Sequence, residues 1–151
     1  GSIVRTAWLY GEHGTSFPRT ILKLGASQDT LDVVDDQVGQ PTWAHDVAQM
    51  IAALVSQSAP AGIVHATNSG QTTWWGFAQR LFELAGWDPA RITPVSSQNF
   101  IRPAPRPAWS VLGHANWARL GMNTPRHWRD ALDEAWDQEL SPFAEEINSA
   151  R

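Results

Sequence analysis

Three short β-prone runs, each followed by an apolar series at helical spacing, confine this chain to folds in which helices cover a largely parallel sheet. Ile3, Val4, Ala7 and Leu9, with Trp8 and Tyr10 beside them, form the first run, and Gly11 ends it. So apolar a stretch suits a strand buried on both faces. Ser16 then offers an N-cap, Pro18 falls in the first turn, and Phe17, Ile21 and Leu24 share a helical face that stops at Gly25. Leu31, Val33 and Val34 make the second strand. Thr42 is placed to cap a helix whose apolar face is Val47, Met50, Ile51, Leu54 and Val55, broken off before Pro60 and Gly62. Residues 62–67 (GIVHAT) read as the third strand and residues 68–70 as a turn. Thr72 caps a helix carrying Trp74, Phe77, Ala78, Leu81, Leu84 and Ala85, closed by Gly86.

Beyond that point the pattern changes. Residues 92–95 predict a short strand, while the three prolines of residues 102–107 (RPAPRP) force an extended loop. Residues 112–120 predict a short helix ended by Gly121. Thr124 and Pro125 open a last helix with Trp128, Ala131, Leu132, Ala135 and Trp136 on one face. The polar tail of residues 141–151 is expected to fray, which leaves residues 1–140 as the folded unit. At 151 residues the chain holds one ordinary domain.

Charge and composition exclude several functions. Eleven basic against fifteen acidic residues, with no basic run, leave a net charge of -4 and no nucleic-acid footprint. The absence of cysteine excludes a disulfide framework and fits a reducing, cytoplasmic setting. The longest apolar stretch, residues 47–55, is interrupted by Gln49 and is far short of the ~20 residues of a membrane span.

Candidate chemistry is sparse. Gly11 and Gly14 flank a strand-to-helix turn with Asp35 some way downstream, but without a close Gly-x-Gly pair the spacing fits a tight turn better than a phosphate loop. Asp35 and Asp36 suit solvated turn acids more than a catalytic pair. His13, His45, His65, His114 and His127 form no i, i+4 pair, which argues against zinc. No serine sits in a nucleophile elbow. Of the nine tryptophans, Trp74, Trp128 and Trp136 fall on apolar helix faces and read as core. Trp8 stands at the end of a strand, where open α/β sheets place their ligands; it suits ring stacking and core filling equally. Arg102 and Arg106 sit on the proline-stiffened loop, where a guanidinium can grip a diphosphate in bidentate fashion or stay solvated.

Residues 5–14 (RTAWLYGEHG), 33–48 (VVDDQVGQPTWAHDVA), 62–86 (GIVHATNSGQTTWWGFAQRLFELAG) and 102–112 (RPAPRPAWSVL) resemble, in order and spacing, the C-terminal half of the dTDP-4-dehydrorhamnose reductases, a family of extended short-chain dehydrogenase/reductases. The resemblance runs from residue 2 to about residue 140. It implies the C-terminal portion of an NAD(P)-binding, Rossmann-like α/β enzyme, with remnant parallel strands near residues 2–10 and 30–35 and a small helical substrate-binding domain. The family reduces the 4-keto group of dTDP-6-deoxy-L-lyxo-4-hexulose with NADPH or NADH. It uses a Gly-rich loop and a Tyr and Lys four residues apart, and none of these is in the chain. The only tyrosine is Tyr10, with Gly14 four residues on, and the only lysine is Lys23.

Binding positions alone carry over by this resemblance. Trp8 matches the tryptophan facing the deoxysugar, and Thr6 and Ala7 match the stretch passing the nicotinamide. Ser16 and Phe17 occupy a nucleotide-contacting place, although the family commonly has Asn at Ser16. Gln37, Gln40 and Arg106 match segments lining the nucleotide pocket. Trp75 stands where the family commonly has Tyr. The chain is accordingly expected to bind a dTDP-deoxyhexose, to lack reductase activity and bound cofactor by itself, and to need an N-terminal Rossmann half. It is also expected to self-associate through edges near Ile3, Val4, Val33 and Val34. Two other readings are a non-catalytic subunit, as in the regulatory subunit of methionine adenosyltransferase on the same scaffold, and a carbohydrate-binding module built on exposed tryptophans.

Overall fold

The computed structural model describes residues 1–100 and 103–150. Arg102, one of the two loop arginines, lies outside the described residues. In chain order the strands and helices are β1 (Ser2–Arg5), β2 (Leu9–Tyr10), α1 (Phe17–Ser27), β3 (Leu31–Val34), β4 (Val38–Gly39), β5 (Thr42–Trp43), α2 (Ala44–Ser56), β6 (Gly62–His65), β7 (Thr72–Thr73), α3 (Trp74–Leu84), β8 (Ile92–Val95), α4 (Ala115–Arg119), α5 (Trp128–Ala135) and α6 (Ser141–Ser149). Three pairs are parallel: β1 with β6, β2 with β5, and β3 with β8. The β4–β7 pair is antiparallel. The α/β class with parallel strands is therefore what the alternation predicted.

The first run is two strands rather than one. Trp8 takes a φ of 50°, in the left-handed region, and this turn moves the chain from one partner to another. Ala66 N–H donates to the Arg5 carbonyl at 2.7 Å, whereas Thr42 N–H donates to the Trp8 carbonyl at 3.0 Å. Nor is β1 buried on both faces. Val4 and Val64, register partners, pack with Leu54, Met50 and Trp117 in a small core, while Ile3 and Ile63 on the opposite face are 59% and 40% exposed. β3 is paired on one side only, with β8, among the described residues; Val33 is buried and Val34 half-buried.

The principal core gathers Tyr10, Leu22, Trp43, Phe77, Leu81, Phe82, Trp128 and Leu132 from five elements. Gly25 lets α1 approach α3: a Cβ there would lie 2.6 Å from the Phe82 Cζ. Arg91 seals the end of α1 from a distance. Its guanidinium donates to the carbonyls of Gly25 and Gln28 at 2.6 Å each and of Asp29 at 2.9 Å, and it lies over the Phe82 ring. A charged network closes the other side. Arg126 pairs with Asp46 at 2.7 Å and with Glu134, and Asn68 donates to Asp46 at 2.6 Å while accepting from Trp43 N–H.

Helix ends differ from the sequence reading by a few residues. Ser16 is the N-cap of α1 but makes no side-chain cap, Trp43 rather than Thr42 precedes α2, and Thr73 rather than Thr72 caps α3 by accepting from Gly76 N–H. The helix expected over residues 112–120 shrinks to α4. The last predicted helix starts at Trp128, capped by His127. Residues 141–149 do not fray. They form α6, with Ala144 buried and Phe143 and Ile147 packed on the principal core. No helix among the described residues is long and apolar enough to cross a membrane.

Candidate functional site

A cavity of about 760 Å³ opens between the start of α1, strand β3, the first residue of α3, residues 97–100 and residues 104–106. Phe17, Ile21, Val33, Val34, Trp74 and Phe100 give it apolar walls, and Asp32, Gln37, Gln98 and Arg106 give it polar ones. An apolar concavity with a few polar groups is the ordinary form of a small-molecule site. Its loop side is held by two aspartates. Asp36 accepts from the Ser97 backbone N–H and from the Ser96 and Ser97 hydroxyls, and these bonds hold its carboxyl below the usual range, the backbone bond foremost. Asp35 accepts from the Thr73 hydroxyl at 2.6 Å. The acidic pair thus ties the loop and the α3 cap to the end of β3.

Trp8 sits behind the cavity wall. Its indole stacks on Trp74 with centroids 3.5 Å apart and planes within 10°. It also lies so close to Gly39 that a Cβ at that position would be 2.5 Å from the Trp8 Cζ2. A left-handed backbone at a non-glycine residue costs on the order of 1–3 kcal/mol, and this packing is what holds it. Trp74 in turn touches Phe17, centroids 4.7 Å apart at 49°, and lines the cavity itself.

The site residues read from the sequence fall into three groups. Phe17, Gln37 and Arg106 line the cavity together, and Ser16 precedes Phe17 with a buried hydroxyl that has no partner among the described residues. Thr6 and Ala7 lie in the turn between β1 and β2, Thr6 exposed and Ala7 half-buried, at the carboxyl end of a parallel strand. Gln40 is placed elsewhere. It is 2% exposed, and its amide is consumed by the Leu112 backbone at 3.1 and 2.8 Å and by the Thr67 hydroxyl at 3.1 Å.

That last contact fixes a histidine tautomer. Because Thr67 Oγ1 donates to Gln40, His114 Nε2 must donate to Thr67 at 2.8 Å. Burial, then the neighbouring His65, lowers the His114 pKa. Tyr10 is 3% exposed, its hydroxyl has no hydrogen-bond partner among the described residues, and burial followed by Asp46 pushes its phenol well above the ordinary range. Among the described residues no three acidic or histidine side chains are grouped as a metal site. The sequence reading assigned Trp74 to the core and missed Phe100, Gln98 and Asp32. The adjacent Trp74-Trp75 pair at a helix start was the available signal, since Trp75 turns away and donates to the Ile92 carbonyl at 3.0 Å.

The description "RmlD substrate binding domain" matches residues 1–141. A dTDP-4-dehydrorhamnose reductase of Streptomyces griseus is 51% identical over 140 residues, covering 90% of this chain and 46% of that protein. A dTDP-4-keto-6-deoxy-D-glucose reductase of Streptomyces niveus is 48% identical over 136 residues, covering 90% of this chain and 47% of that protein. The crystal structure of a dTDP-4-dehydrorhamnose reductase from Bacillus anthracis, in complex with NADP, superposes with a TM-score of 0.84 at 34% identity, over 90% of this chain and 47% of that one. The chain spans about half the length of the relatives it matches.

Proposed function

The chain belongs to the RmlD substrate binding domain family, and from that premise we propose that it is the substrate-binding part of an NAD(P)H-dependent reductase acting on dTDP-6-deoxy-L-lyxo-4-hexulose to give dTDP-L-rhamnose. The observation that supports this most is one cavity carrying Phe17, Gln37 and Arg106 together. In this reading Arg106 binds the diphosphate, Phe17 and Ser16 contact the nucleotide, Gln37 lines its pocket, and Trp8 positions the deoxysugar. Gln40 holds the Leu112 segment in place behind them.

The cofactor fits this chain at one end only. Thr6 and Ala7 follow β1 at its carboxyl end, where they would border the nicotinamide, and when bound the nicotinamide supplies hydride. The phosphates would be held by the N-terminal Rossmann half, the proposed partner in the whole protein. The chain's own part is to bind and orient the keto sugar. Tyr10 takes no part in proton transfer, since its hydroxyl is buried.

Calorimetric titration of the chain with dTDP-rhamnose tests the reading. Binding is expected, with a loss of tenfold or more in Arg106→Ala, the usual scale of a charged hydrogen bond at ~1.5–3 kcal/mol. Saturable binding that is the same in Arg106→Ala removes the diphosphate assignment, and no heat with either dTDP or dTDP-rhamnose removes the reading. A second substrate has specific support: the Streptomyces niveus relative is named for dTDP-4-keto-6-deoxy-D-glucose and is nearly as similar. Turnover of the two keto sugars by the whole reductase decides between them.

A further inference from the structure

We propose that Asp36 is a positioning residue for sugar-nucleotide binding: its carboxylate holds residues 97–100 in place as one wall of the cavity, and through that wall it sets how tightly the ligand is taken. The inference rests on the sugar-nucleotide reading and goes beyond it by assigning a role to a residue that does not itself line the cavity.

The residues that follow β3 reach, one after another, different parts of the cavity. Asp35 accepts from the hydroxyl of Thr73, directly before Trp74. Asp36 turns to the segment that follows β8. Gln37 lines the cavity itself. Val38 N–H donates to the Ala108 carbonyl at 2.8 Å, and the Val38 carbonyl accepts from Ser110 N–H at 2.9 Å, which fixes the segment that follows Arg106. The arrangement has a simple origin. The β3–β8 ladder ends at Val34 and Val95, so both chains leave the sheet at the same level, and Asp36 meets Ser96 and Ser97 there.

The bonds at Asp36 are concentrated on one short turn. Its Oδ2 accepts from Ser97 N–H at 2.9 Å and from the Ser96 and Ser97 hydroxyls at 3.0 Å each, and its Oδ1 lies 3.1 Å from the same N–H. Charge-assisted bonds of this kind are the stronger ones. Residues 97–99 form a single helical turn, capped by Ser96 Oγ, which accepts from Gln98 N–H at 3.3 Å. The turn's other bonds, from Asn99 N–H to the Ser96 carbonyl and from Phe100 N–H to the Ser97 carbonyl, stay within it. Among the described residues no further hydrogen bond joins residues 96–100 to the rest of the chain, and residues 98–100 are exposed. One isolated helical turn does not order itself. Anchored by Asp36, Gln98 and Phe100 stand in the cavity wall before the ligand arrives, and the cost of ordering them is not charged to binding.

The sign of the effect separates this role from a simple charge effect. A carboxylate acting only through space repels a diphosphate, so Asp36→Asn would then tighten dTDP; acting through the wall, the same change weakens it. The test is calorimetric titration of dTDP into the wild-type chain, Asp36→Asn, the pair Ser96→Ala with Ser97→Ala, and all three changes together. Asp36→Asn is expected to weaken dTDP about five- to tenfold, the scale of ordering two side chains on binding. The serine pair should weaken it less, since the Ser97 N–H bond remains, and the triple variant should be no weaker than Asp36→Asn within about twofold, as for residues that act through one contact. Amide exchange gives an independent readout: in Asp36→Asn residues 97–100 should exchange faster while β3 and β8 do not, and saturating dTDP should slow them again. Unchanged or tighter dTDP binding in Asp36→Asn, additive effects in the triple variant, or unaltered exchange at residues 97–100 overturns the proposal while leaving the sugar-nucleotide reading in place. Absence of dTDP binding by the wild type overturns both. If Asp36→Asn fails to fold, the serine pair decides: wild-type affinity and exchange in that variant sink the assignment.

Discussion

Gly39 is the residue on which the position of Trp8 turns. A methyl group there would lie 2.5 Å from the indole, and backbone pairing with Thr72 leaves the strand no room to retreat. Gly39→Ala is expected to cost roughly 1–3 kcal/mol as overpacking, read by denaturant unfolding. His114 gives a pH dependence with a definite sign. Its folded pKa is lowered, so the unfolded chain binds the proton more readily, and its contribution is intact above about pH 6.5 and is lost as the pH falls toward the folded value. Unfolding midpoints between pH 7 and pH 5 should therefore decline, and His114→Gln, which can still donate to Thr67, should flatten that decline. At this scale the sequence was partly legible. Phe17, Gln37 and Arg106 line one cavity. Gln40 could not be sorted from them, because its partners Leu112 and Thr67 lie 72 and 27 residues away. Trp8 suited both a ligand and a core role, and it stacks on a ring that itself lines the cavity.

Among the elements, α6 carries the clearest correction. Its polar residues Glu145, Glu146 and Asn148 point outward, while Phe143, Ala144 and Ile147 form a stripe one turn long that faces the core. The stripe was present in the sequence, but three residues are too few to stand out against a polar tail. Removing residues 141–151 is expected to destabilise the chain by about 2 kcal/mol or more, since it exposes apolar surface on α1 and on residues 136–140; thermal unfolding checks this. The link between α5 and α2 is electrostatic. Asp46 is 8% exposed and takes its charge balance from Arg126. Arg126→Ala strands that carboxylate, at a cost of about 3 kcal/mol. Nothing in local sequence pairs residues 46 and 126, which is why the network was invisible until the chain was folded. Periodicity, by contrast, located α1, α2, α3 and α5 to within a few residues, because each has an amphipathic face of at least two turns.

For the whole molecule, β1 is paired on one side only among the described residues, and Ile3 and Ile63 leave an apolar face open beside it. Such an edge recruits further strands. Light scattering over a concentration series should show association that Ile3→Lys reduces; a constant monomer mass would remove the expectation. With NADPH and the keto-sugar nucleotide, the chain by itself should leave the nicotinamide absorbance unchanged. Protein-dependent oxidation that follows the chain through purification would contradict its assignment as the binding part. The Arg91 clamp on α1 bears on the order in which this molecule is made. The last carbonyls of α1 wait for a guanidinium 66 residues further along the chain, so the helix cannot complete its final turn until β8 has been delivered to β3. Loop closure of that length precedes the reward. The end of an apparently local helix therefore belongs to the late, long-range part of folding, and its amide protons should exchange in step with those of β8 rather than with its own first turn.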